Sequence, residues 1–529
     1  MRHPLAWVMC VALASGVFGL GWELRDFAQA GAAWRVFVAE PALGAVWGLS
    51  TWVAVASTVL SVSCAKVLTA WLWQRPHRLW LPGLLAVPHS AVALGLLWLL
   101  VPSGVIVRWL AWPLGWMSPP DWTFPQDPWG VGLILALTLK ETVFLTVMAM
   151  AVLVQLPVQG QVLHATSLGW SSPRIFRQCV WPQVLSQLRA PILIILAFGL
   201  TNLELTLILA PDIPGLIGPR LIALLTDADP IRRAAGAVGA LLLLCVTFAL
   251  SLACLGLMRG LAWWRRLNVE LPRPSQITWL GHQGLVCVGG LLWCAIGVSL
   301  VLWAVAGPWS FQMPFPVMDW DRLGLRLLRM VTAIRETTAM GLATALSAVI
   351  GAVWVLESMA QRHQRRVPLF WWGVLWVPAL PLSAGLLSVW LMIGGQPGFW
   401  AVLFAHWLIA CPYALIVLSG PWLARPSWER SVIQMSGLGP WRALRQVWVP
   451  KHRAALWLAF AVAFSVSCAL YTQTLMLGGG RVETLATELV VSLQSDRRLA
   501  AVAGVANTIL PAVLFVVASL LAGGRRSHV

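Results

Sequence analysis

Residues 168–182 read LGWSSPRIFRQCVWP, and residues 436–450 read SGLGPWRALRQVWVP. With Gly169 set over Gly437, Arg174 falls on Arg442, Arg177 on Arg445, Gln178 on Gln446 and Pro182 on Pro450, all at an offset of 268 positions. Phe176 meets Leu444 in the same frame. The offset is close to half of the 529 residues. The chain therefore reads as a duplicated module, each copy carrying one basic, amphipathic segment that ends in proline.

Composition says where such a module lives. The chain is 59% hydrophobic and only 10% charged, with a mean hydropathy of +0.80, whereas soluble domains are about a quarter charged. Apolar runs of about 20 residues recur, enough to cross a bilayer as a helix. A helix satisfies its own backbone hydrogen bonds, which lipid cannot do for it. The alternation of an outer-membrane barrel is absent. The expected fold is all-α: a polytopic membrane protein of about twelve transmembrane helices. The spans fall near 5–21, 44–72, 80–101, 129–153, 190–209, 234–258, 285–306, 337–357, 369–393, 399–422, 455–476 and 499–522. Residues 1–262 form a first module, 263–284 a basic linker and 285–529 a second module. Six spans per module give two parallel repeats, related by an axis along the membrane normal. The first span follows Arg2 without a small-x-small cleavage site and reads as an uncleaved anchor.

A net charge of +17 fits nucleic acid less well than the positive-inside bias of membrane loops. With the N-terminus inside, Arg265, Arg266, Arg273, Arg362, Arg365, Arg366, Arg525 and Arg526 fall on the cytoplasmic side, and Arg322, Arg326, Arg329 and Arg335 outside. The expected location is a bacterial inner membrane, with both termini cytoplasmic and no nucleic-acid partner. The nine cysteines include no C-x-x-C pair, so they read as packing residues rather than metal or redox groups.

The repeated segments occupy the loops after spans four and ten, about 154–189 and 423–454. A short helix, a glycine turn and a second helix fit each, with Pro173 and Pro440 in the first turn of the second helix. Pro182 and Pro450 are expected to end the segments. Trp441, Leu444 and Trp448 fall at helical spacing, with Arg442 and Arg445 on another side. Such a helix can lie on a membrane surface or enter a protein groove. Two matched copies favour a two-fold partner, although arginines here also follow from the positive-inside bias.

At these residues the chain resembles the permease subunits of binding-protein-dependent type I ABC importers. Their cytoplasmic signature is E-A-A-x-x-x-G followed by a hydrophobic-x-Leu-Pro ending. The glycine-to-proline distance is the family's thirteen in both copies, Gly169 to Pro182 and Gly437 to Pro450. The front departs: the glutamate position holds Leu163 and Ser431, the next holds His164 and Val432, and only Ala165 keeps the pattern. The likeness continues through AFGLTNLELTLILAPDIP from Ala197 and AFAVAFSVSCALYTQTLMLGGGRVETLATEL from Ala459. The fused form is similar to thiamine and iron(III) importer permeases and to the YnjC-like group. The resemblance implies a subunit that passes a small solute to the cytoplasm by alternating access. Two cytoplasmic ABC ATPase subunits would dock on Ala165, Gly169, Arg174, Arg177, Gln178, Pro182, Gly437, Arg442, Arg445, Gln446 and Pro450. A periplasmic solute-binding protein would deliver the solute, touching the loops from Ala210 and Gly478. The chain lacks G-x-x-x-x-G-K-[ST], so ATP hydrolysis is expected in another subunit. No cofactor is expected in this chain.

Lys66, Lys140, Glu141 and Glu204 fall inside spans, where charge faces protein or water rather than lipid. Lys140 and Glu141 diverge by about 100° on a helix, so each is expected to pair elsewhere. Asn202, Glu204 and Thr206, with Tyr471, Gln473 and Thr474 in the second half, are the candidate solute path. Interhelical hydrogen bonding is the alternative for all six. The carboxylates lean toward a cationic solute. A twelve-span secondary transporter would share the two halves, but the turn after its second span should carry glycine, and QRPHRLW at 74–80 does not. A membrane-embedded transferase would need a polar catalytic cluster, and none stands out.

Overall fold

The computed structural model describes residues 4–73, 81–267, 279–362, 364, 367–368 and 370–522. The QRPHRLW turn, most of the expected linker (268–278) and Arg365, Arg366, Arg525 and Arg526 lie outside the described residues. The first half is built from α1 (Pro4–Trp22), α2 (Leu43–Trp73), α3 (His89–Leu100), α4 (Val131–Gln155), α5 (Gln159–Ser167), α6 (Arg189–Thr201), α7 (Leu203–Leu209) and α8 (Pro230–Leu267). The second half contributes α9 (Trp279–Val305), α10 (Val331–Gln361), α11 (Ala379–Met392), α12 (Phe399–Leu423), α13 (Ser427–Met435), α14 (Arg453–Cys468), α15 (Tyr471–Gly478) and α16 (Arg497–Ala522). Among the described residues no named strand occurs; Ala306 and Met318 form one isolated bridge. The protein is an all-α polytopic membrane protein.

Twelve spans were expected; among the described residues nine helical stretches are long and apolar enough to cross a bilayer, eleven if two bent pairs are each counted as one. One bent pair joins Ser172–Gln187 to α6 at 62° and the other joins α14 to α15; further breaks, where α3, α7 and α11 begin, have local causes. Pro88 and Pro378 cap α3 and α11 in extended conformation, because a proline ring excludes the helical bond to the preceding turn. Asn202 leaves the helical region and its Oδ1 accepts from the Leu205 amide at 2.7 Å, capping α7. In the 268 frame Asn202 lies opposite Leu470, where α14 and α15 meet at 60°. Hydropathy averaged over a window passes over such breaks, since the flanking residues stay apolar.

Within each half, α2 lies along α4 and α10 along α12. The first helix of each half reaches the other: α1 packs on α11, and α9 packs on α3 as well as on α16 of its own half. Glycine makes the first crossing possible. A Cβ on Gly19 would overlap the Gly385 carbonyl, and one on Gly385 would overlap Gly16 backbone. Backbones this close need residues without side chains. On the other side, a Cβ on Gly95 would lie 2.7 Å from Ile296 Cγ2.

Candidate functional site

A cavity of about 560 Å³ lies between the halves. Its wall runs from Lys140, Glu141, Asn202, Glu204, Tyr471 and Gln473 to Gln155, Pro421 and Leu458. Those last residues adjoin the repeated segments, so the cavity extends toward the end of the bundle that carries them. Toward the other end Ile208, Leu209 and Leu477 are buried.

The two adjacent in-span charges do pair apart. Lys140 Nζ donates to the Leu84 and Leu85 carbonyls at 3.1 and 2.9 Å, at the end of a short helix, where carbonyls lack helical partners. Glu141 meets His89 Nε2 at 3.2 Å. Glu204 is buried, and its Oε2 has no hydrogen-bond partner; the same holds for Gln473 Nε2.

Four of the six solute-path candidates line the cavity: Asn202, Glu204, Tyr471 and Gln473. Thr206 and Thr474 do not. The Thr206 hydroxyl donates to the Leu203 carbonyl at 2.7 Å. Thr474 meets His406 Nε2 at 3.0 Å, and His406 Nδ1 meets the Ser467 hydroxyl at 2.8 Å. Thr474 thus has the interhelical role that was the alternative. Thr206 lies two residues from Glu204 and Thr474 one from Gln473, steps of about 200° and about 100° around a helix, which turn both threonines away from the wall. The sequence reading missed His89, Tyr413 and Ser465, which lie in mostly apolar stretches.

The repeated segments share one geometry. Gly169 and Gly437 adopt φ of 76° and 70°, in the left-handed region that glycine enters without strain. Each second helix then widens into a π-helical turn, Phe176–Val180 and Leu444–Trp448. The Trp181 amide reaches back to the Phe176 carbonyl and the Val449 amide to that of Leu444. Pro182 and Pro450 follow directly. A proline ring clashes with the carbonyl four residues before it, here Gln178 and Gln446, and the widened turn relieves that clash. The prolines therefore do not end the segments, as expected from sequence; the chain breaks later, at Leu188 and His452. The wide turn also separates the expected aromatic face. Trp441 is 72% exposed while Trp448 is buried.

The surroundings of the two segments differ. The first is held by apolar packing, with Trp73 against Phe176 and Phe176 against Trp181, and Arg174 lies over Trp170. The second is held by charge. Arg425 Nη2 donates to Glu357 Oε2 at 2.6 Å and its guanidinium covers Trp448. Lys451 pairs with Glu429 at 2.5 Å, so the one acidic residue near the signature is already engaged.

His452 stacks on Trp448 within this cluster. Burial, then Arg425 and Lys451, pushes its pKa below the usual 6.5, against an opposing pull from Glu429. A group depressed on folding contributes stability above its unfolded pKa and loses it as pH falls below that value. Acidification below about 6.5 should therefore loosen residues 436–452 before 168–184. Hydrogen exchange at pH 8 and pH 6 measures the difference; equal protection changes in both segments would contradict it.

No family model matches the chain. Over 540 aligned positions it is 28% identical to the inner membrane ABC transporter permease protein YnjC of Escherichia coli (strain K12), covering 98% of this chain and 96% of that protein. The chain is thus similar, over nearly its whole length, to a permease of the ABC transporter type. The alignment spans both halves, so the fused form is shared, and the inner-membrane placement of the relative agrees with the apolar helices of this chain.

Proposed function

We propose that this permease is the membrane subunit of an ATP-driven importer, which takes a small solute from a periplasmic binding protein and releases it to the cytoplasm. The reading rests on one observation. Two segments 268 positions apart share a left-handed glycine, a π-helical turn and a following proline, and both lie at the end toward which the central cavity extends. Two equivalent ATPase subunits would each find the same docking shape there. Val432 and Trp441 of the second segment, and Leu163 and Leu168 of the first, are exposed apolar side chains suited to a groove on such a partner. Closure of the ATPases would move α14 and its first-half counterpart α6 through the widened turns. The cavity wall at Asn202, Glu204, Tyr471 and Gln473 would meet the solute. The segment-bearing end would be cytoplasmic, as would both termini, and 263–284 would link two modules, 1–262 and 285–529.

The test is co-purification of the detergent-solubilised permease with the ABC ATPase encoded beside its gene. Wild type should bring down two ATPases per chain. Gly169→Val and Gly437→Val have open space around the added side chain, so their cost is backbone strain of about 1–2 kcal/mol. Each should lose about one ATPase without unfolding the bundle. Folded permease that recruits none, yet moves solute on an ion gradient, would leave the secondary transporter as the better reading.

A further inference from the structure

We infer that the cavity takes a small organic monocation: a positively charged head seated at Glu204, with an apolar or aromatic body along the remaining wall. The inference rests on the transport reading above and narrows it to a class of solute.

The polar end of the cavity holds three formally charged groups, Lys140, Glu141 and Glu204, besides His89. Two of the three are engaged within the protein. The Lys140 ammonium is drawn to the Leu84 and Leu85 carbonyls, and Glu141 is occupied by His89. Glu204 has the Ser90 hydroxyl beside it and feels Lys140, but among the described residues no cation contacts it directly. Its side chain is buried, it lines the cavity, and one carboxylate oxygen has no donor. A carboxylate in a low-dielectric wall is costly unless a positive group meets it. With His89 neutral and both carboxyls ionised the set carries one net negative charge, which a monocation balances.

The rest of the lining agrees with an organic cation rather than a hydrated metal ion. Tyr471 stands within electrostatic reach of Glu204, and Tyr413, Phe144 and Phe198 add aromatic surface. Aromatic faces attract desolvated organic cations. A metal ion would need several oxygen ligands, and this wall offers one carboxylate oxygen without a donor. Gln473 presents an unpaired amide nitrogen to the same cavity, a donor for a hydroxyl or carbonyl on the ligand. The volume of about 560 Å³ is that of an ordinary small-molecule site.

Matched probes that differ in charge and little in shape test this. Binding to the purified full-length permease is titrated with choline against 3,3-dimethylbutan-1-ol, and with benzylammonium against benzyl alcohol, at pH 7.5. In at least one pair the cation should bind more tightly than its neutral counterpart by about tenfold or more. Glu204→Gln should reduce that preference to within about twofold, while Glu204→Asp keeps most of it. Each variant's unfolding temperature is recorded, and Glu204→Asp serves as the folded comparison if Glu204→Gln proves unstable. If neither cation is preferred, or if the preference survives Glu204→Gln, the inference is overturned. ATPase recruitment is scored on the same preparations. Permease that recruits ATPase but ignores charge refutes the cation assignment alone, whereas loss of recruitment strikes the transport reading.

Discussion

Gly19→Ala should lower the unfolding temperature of the permease, while Gly21→Ala, two residues further along the same helix, should raise it. The chemistry of the two substitutions is identical. A Cβ on Gly19 overlaps the Gly385 carbonyl, whereas one on Gly21 meets nothing within 4 Å. The first clash is with backbone, so no side-chain rotation relieves it and α1 must move off α11. Overpacking of this kind costs about 1–3 kcal/mol. At Gly21 only the ordinary helix preference acts, which favours alanine by about 0.5–1 kcal/mol. Gly385→Ala should reproduce the loss from the other side. Thermal unfolding in detergent reads all three. Equal effects at Gly19 and Gly21 would mean that α1 does not seat on α11 as described.

The second large effect is expected at Glu357. Its carboxylate takes the Arg425 guanidinium at 2.6 Å and the Trp422 indole N–H at 3.1 Å. The Arg425 side chain is only 5% exposed. Glu357→Ala leaves that guanidinium without its carboxylate, and breaking a buried pair from one side costs about 3–5 kcal/mol. Because Arg425 also covers Trp448, the damage should reach the second repeated segment and spare the first. Replacing both partners, with Glu357→Met and Arg425→Leu together, should recover much of the loss, since no charge is then stranded. Unfolding temperature gives the magnitude, and hydrogen exchange at 436–452 against 168–184 gives the location. A uniform loss across both segments would refute the local account.

Much of this architecture was legible in the sequence, for identifiable reasons. The apolar runs had to show, because a bilayer tolerates nothing else over such lengths. The repeated segments showed because each needs the same glycine and the same proline. Asn202, Glu204, Tyr471 and Gln473 could be singled out because polar side chains are rare in spans, and the structure places all four on one wall. Thr206 and Thr474 passed the same filter and turned elsewhere, since composition carries no information about which way a helix is rotated. Lys140 and Glu141 were noticed as charges, but their partners His89, Leu84 and Leu85 lie more than 50 positions away. The prolines misled most. Pro182 and Pro450 read as terminators, and the π-helical turns that accommodate them leave no local signature. The crossing of α1 and α9 into opposite halves was equally hidden, since only Gly16, Gly19 and Gly95 hint at close packing and none names its partner.

That crossing sets a schedule for biosynthesis. Glu23, just past α1, meets Ser388 of α11 across 365 positions. At about 5–20 residues per second of synthesis, α1 enters the bilayer and waits roughly twenty to seventy seconds before its partner exists. During that interval its glycine face is open to lipid, to an insertion factor or to the wrong helix. A polypeptide that stops before residue 392 never fills that face, and a second half made alone lacks the helix that covers α11. Neither half is a finished object, and quality control has a simple mark of an incomplete chain: a first helix still unclaimed.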